Sequence, residues 1–135
     1  MTFAGVPLIK YLECVLALYA LFMGSLFIFD PATLAASVYA PWRELGAVVW
    51  GVTLITTSAA HFAALWLNGR ARSLSRTIRA GANLLHLYIA IKFAVFFLTG
   101  GAPWGALTFG LLMPGLILPV LASTLQDARG AIHGR

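Results

Sequence analysis

Glu13, His61, His86 and Lys92 are the ionisable side chains set inside the long apolar runs of this 135-residue chain. Charge surrounded by hydrocarbon is costly, so each of the four calls for a partner or a task. Counted from the nearer end of its run, Glu13 lies five residues in, His61 six and His86 six. At the rise of an α-helix all three come to roughly 8–9 Å below one face of a membrane. Their helical faces agree as well. Thr53, Thr57 and His61 recur every four residues on the second run, and Arg79, Asn83, His86 and Ala90 line one face of the third. On the first run Glu13 shares a stripe with Ala17, Ala20 and Gly24, small residues that let another helix approach closely. The expectation is an intramembrane polar cluster of Glu13, Thr57, His61, Asn83 and His86.

Three kinds of chemistry suit such a cluster. His61 and His86 on adjacent antiparallel helices would serve as axial ligands of a b-type haem, with nearby arginines at its propionates. The two imidazoles and the carboxylate would also suit a divalent metal. Alternatively, the same groups hydrogen-bond across helices and fix the register of a bundle, at about 0.6 kcal/mol per bond. Glu13 has a further partner on its own helix in Lys10, three residues earlier. Lys92 lies on a different face from His86, within reach of the headgroups by snorkelling, and Tyr88 precedes it by one turn. Cys14 stands alone in an apolar run, which excludes a disulfide framework and a CxxC pair and leaves a small buried apolar residue. A phosphate loop, a GxSxG elbow, an HExxH motif and paired carboxylates are all absent from the sequence, so no catalytic residues, no resident metal and no enzyme are expected.

The elements that must hold these residues follow from composition. Hydrophobic residues make up 61% of the chain and charged ones 10%, against about a quarter charged in soluble domains, and the mean hydropathy is +0.90. A soluble fold is excluded. Four apolar segments, residues 8–29, 45–67, 80–98 and 104–125, approach the roughly 20 residues needed to cross a bilayer. The fold class expected is all-α, an integral membrane four-helix bundle forming one domain. The first span is longer than a signal-peptide core and is expected to be retained. After it, Asp30-Pro31 starts a short interfacial helix that ends at Pro41-Trp42. Residues 68–79 form a polar turn with Arg70, Arg72, Arg76 and Arg79, residues 99–103 a tight turn, and the tail from residue 126 is short and frayed. Gly105, Gly110, Pro114, Gly115 and Pro119 predict a kinked last span.

Lys10, the four loop arginines, Arg129 and Arg135 fall on one side of this arrangement and Arg43 on the other. The positive-inside tendency then places both termini and the arginine loop in the cytoplasm, with the arginines at anionic headgroups. Tyr11 and Trp66 mark the inner interface, and Phe29, Trp42 and Trp104 the outer one. Nucleic acid is not an expected partner, because the basic loop has no aromatic platform behind it.

Trp50-Gly51, Ala63-Ala64-Leu65, Leu67-Asn68-Gly69-Arg70, Ser73 and Ile78-Arg79-Ala80 together resemble a pattern in small four-helix membrane proteins encoded by tailed phages and prophages of proteobacteria, some of them suspected holins. His61 departs from that pattern, standing where an arginine or an apolar residue would be expected. The resemblance implies a bacterial inner-membrane protein that associates through small-residue faces (Ala17/Ala20/Gly24, Ala59/Ala63 and Gly110/Gly115) and permeabilises the membrane. Two other classes stand beside it: a haem b or quinone-linked membrane anchor using His61 and His86, and a structural subunit of a larger membrane complex. The lipid bilayer is a partner in all three.

Overall fold

The computed structural model describes residues 2–3, 6–32, 45–67, 72–99 and 103–132. Four helical rods carry the fold: α1 (Leu8–Phe29), α2 (Ala47–Trp66), α3 (Arg72–Thr99), and a last rod made of α4 (Pro103–Leu107), a π-helical segment (Thr108–Leu112) and α5 (Met113–Ile132). A two-residue antiparallel pairing, β1 (Thr2–Phe3) against β2 (Val6–Pro7), precedes them, with Thr2 opposite Pro7 and Phe3 opposite Val6. Four helices, Leu8–Phe29, Ala47–Trp66, Leu74–Thr99 and Trp104–Gln126, are long and apolar enough to cross a membrane. The proposed interfacial helix and Trp42 lie outside the described residues.

Breakers bound the first two rods. Asp30 closes α1 by donating its backbone N–H to Leu26, just before Pro31, which cannot continue the ladder. Gly46 opens α2 at φ +80°, a left-handed conformation that glycine takes without penalty. Two bounds differ from expectation. The third rod begins at Arg72 rather than residue 80, so much of the anticipated arginine loop is helix, and the last runs on to Ile132 instead of fraying after residue 125.

In the last rod, the Met113 N–H reaches the Thr108 carbonyl, a five-residue step. Pro114 follows immediately; it has no N–H to give, and its ring would collide with the carbonyl four residues back. The widened turn absorbs that conflict, as π-bulges do within helices. It also carries Phe109, whose ring packs 4.9 Å from Phe93 and 5.5 Å from Phe97.

The bundle is held by two extensive helix pairs, α1 with α2 and α3 with α5, joined through α2 against α3. At the α1–α2 crossing, a Cβ on Gly24 would meet the Gly51 carbonyl and the Leu54 and Ile55 side chains at 2.9 Å, and one on Gly51 would meet the Gly24 carbonyl at 2.9 Å. Only the missing side chains allow that approach. Beside it Ala20, Met23, Phe27, Trp50, Leu54 and Phe93 form one apolar core, while Leu16, Ala90 and Ile117 form a second under α5. Hydroxyls that face outward are satisfied within their own helix: Thr53 donates to Val49 at 2.7 Å and Thr108 to Trp104 at 2.9 Å. Two buried ones instead tie helices together, Ser58 donating to the Ala17 carbonyl at 2.7 Å and Ser75 to that of Ala64 at 2.6 Å.

Candidate functional site

The polar cluster is built around Glu13. In α1 its side chain is completely buried, and a carboxylate in that position needs donors. Arg79 of α3 supplies them as a fork: Nε lies 2.9 Å from Oε1 and 3.1 Å from Oε2, and Nη2 lies 2.7 Å from Oε2. Such bidentate pairing is the strongest geometry available to this pair of groups. Asn83, one turn along α3, brings Nδ2 to 3.4 Å from Oε1. His61 of α2 places Nε2 at 3.6 Å from the same oxygen. One carboxylate thus gathers three helices.

His86 continues the cluster without touching Glu13. Its ring lies 6.0 Å, centre to centre, from that of His61 at a 42° tilt. His86 lies three residues beyond Asn83, about 4.5 Å along the helix axis, and joins the cluster through His61 rather than through Glu13. The Ala82 and Leu16 carbonyls lie nearest the imidazole, but neither His86 nitrogen has a hydrogen-bond partner. Beside it is a small pocket of about 20 Å³ lined by apolar atoms.

Several assignments change. Arg79, expected at the headgroups, is 3% exposed and belongs to the cluster. Glu13 pairs with Arg79 rather than with Lys10. Thr57 is half-buried, and the completely buried hydroxyl on that helix is Ser58. Ala17, Ala20 and Gly24 are consumed by packing inside the protomer and offer no face for self-association, whereas Ala59, Ala63, Gly110 and Gly115 are exposed. Cys14 is half-buried rather than a core residue. Of the other arginines, Arg76 is half-buried, and Arg70 lies outside the described residues, as does the side chain of Arg72. Lys92 sits with its ammonium 5.8 Å from the centre of the half-exposed Tyr88 ring, a cation–π contact on the outer part of the bundle. Asn83, His61 and His86 stand where expected, buried between helices.

The signal for Arg79 was present in its spacing. It shares a face with Asn83 and His86, and Glu13 is the only acid within the four runs, so a buried arginine and a buried glutamate were available to neutralise each other. Ser58 and Ser75 gave no comparable signal, since a serine in an apolar run satisfies itself on its own helix as readily as it reaches a neighbour.

His61 is turned onto Glu13, the two imidazoles face each other across packed helices, and His61 does not line the pocket next to His86. Nor do Glu13, His61 and His86 make a metal set: among the described residues no three His, Cys, Asp or Glu side chains stand together closely enough to share an ion. What the arrangement does chemically is neutralise a carboxylate inside an apolar bundle and tie three helices to it. The chain matches no protein-family model, no curated protein and no solved structure.

Proposed function

We propose that this chain is a multi-pass protein of the bacterial inner membrane whose protomer is a closed four-helix bundle and which acts, in the manner of a holin, by packing against copies of itself. The observation that carries the proposal is the distribution of polarity. Every buried charge is turned inward, while Leu18, Phe22, Val48, Val52, Leu84, Ile91, Val95, Leu111 and Leu118 are at least half exposed along the outer surface. A surface of that kind is suited to lipid or to another protomer. Tyr11, Phe29, Trp66 and Trp104 are exposed at helix ends, where aromatic side chains anchor at membrane interfaces. The basic residues of the α2–α3 connection then meet anionic headgroups on the cytoplasmic side.

A single protomer is not a conduit. The buried polar side chains of α3 stop at His86; beyond it the inward positions are Ala90, Phe93 and Ala94. Any permeation pathway must therefore lie between protomers, and the exposed small residues Ala59, Ala63 and Gly115 mark outward places where helices can approach, whereas Gly110 faces Ala94 of its own protomer. Induced expression in a bacterium should collapse the membrane potential, and should cause lysis when a cell-wall hydrolase is present. Ala59→Leu combined with Gly115→Leu, the latter with nothing within 4 Å of the added side chain's first carbon, should leave the bundle folded and delay the collapse. Cells that keep their potential at high expression, or a chain that purifies only with a different partner, would sink the proposal.

A further inference from the structure

We propose that Lys92 lines the path between protomers and makes that path select small anions. This rests on the self-packing reading above and names what passes. The span that carries Lys92 runs Leu74–Thr99. Lys92 is seven residues from its end, about 10 Å along the axis, a distance from which an extended lysine can reach toward the headgroups at that end. The structure turns it the other way. Its ammonium lies 5.8 Å from the centre of the Tyr88 ring, one turn nearer the middle of the span, in the direction helical side chains lean. Tyr88 itself stands fourteen residues from Leu74 and eleven from Thr99. The charge is therefore held near mid-depth.

No other charge in the four spans is placed this way. Lys10 and Arg76 stand at the third positions of their spans, Glu13 and Arg79 neutralise each other inside the bundle, and the spans Ala47–Trp66 and Trp104–Gln126 contain no Asp, Glu, Lys or Arg. Lys92 is half-buried at the edge of the outward face of α3, where Leu84, Tyr88, Ile91 and Val95 are about half exposed, and among the described residues it has no carboxylate partner. The Tyr88 ring holds the ammonium in place without cancelling its charge. Facing lipid, such a charge is costly at mid-depth. Facing a water-filled gap between protomers, it is solvated and meets whatever ion passes. One lysine from each protomer then makes a ring of like charge, the arrangement by which pores favour anions over cations.

The test reconstitutes the full chain in a planar lipid bilayer under a potassium chloride gradient and reads the chloride-to-potassium permeability ratio from the reversal potential. The unaltered chain should favour chloride. Lys92→Gln should lower the ratio about fivefold, the change in occupancy that one unit charge roughly 4 Å away in water imposes on an ion. Lys92→Arg should keep the preference, and Lys92→Glu should turn it toward potassium. A conductance that favours potassium in the unaltered chain, or a ratio that Lys92→Gln and Lys92→Glu both leave unchanged, overturns the selectivity and leaves the self-packing protein standing. An unaltered chain that never conducts overturns the self-packing reading and this inference together.

Discussion

Glu13 and Arg79 are an all-or-nothing pair. Each is buried, so removing one strands the other's charge where water cannot reach it, at a cost of about 3–5 kcal/mol, whereas replacing both with apolar residues of similar volume is often close to neutral. Arg79→Leu and Glu13→Leu should therefore each lower the unfolding midpoint in detergent steeply, and the double variant should recover most of the loss. Additive losses would show that the fork of hydrogen bonds between them contributes nothing as a pair. The same reasoning explains what could be read from the residues beforehand. Glu13, His61, Asn83 and His86 were legible because a polar side chain in an apolar run must turn inward. Arg79 was legible by face but not by depth, since a chain of four arginines satisfies the charge rule for a membrane surface just as well as for a pair inside it. Thr57 and Ser58 differ by one position, and hydroxyl spacing alone cannot decide which of two neighbours points to the next helix.

Apolar length marked the four rods, because length and hydropathy are what the bilayer selects, and the first rod matches its expected bounds at both ends. The beginning of α3 was not legible in that way. Ser75 and Arg79 are polar in composition but find acceptors on α2 and α1, and tertiary partners rather than local preference extend the helix through them. Helix contacts likewise decide which glycines matter. Gly24→Ala places a methyl group within 2.9 Å of a backbone carbonyl, an overpacking that should cost about 1–3 kcal/mol. Gly81→Ala meets nothing within 4 Å on an exposed helical face and should instead stabilise α3 by about 0.5–1 kcal/mol. Thermal unfolding of the two variants should move in opposite directions. Equal shifts would mean that the α1–α2 crossing is not a tight contact.

Polarity is unevenly divided between the two ends of the bundle, and that division carries the orientation. Glu13, Ser58, His61, Ser75, Arg79, Asn83 and Thr124 are all buried in the half where α1 and α3 begin and α2 and α5 end, and the same half carries Lys10, Arg76 and Arg129. The other half is closed by Phe27, Trp50 and Phe93. Under the proposed placement, the positive-inside tendency would turn the polar half toward the cytoplasm, with the desolvated cluster closest to water and to anionic headgroups. Orientation is then measurable with single cysteines in a Cys14→Ser background. Thr99→Cys, exposed at the end of α3, should react with a membrane-impermeant maleimide added to spheroplasts, and Leu74→Cys, exposed near its start, only after the membrane is broken. The reverse pattern would put the arginine-rich end outside. The bundle would keep its internal pairing, but the contact of the basic α2–α3 connection with cytoplasmic headgroups would have to be abandoned.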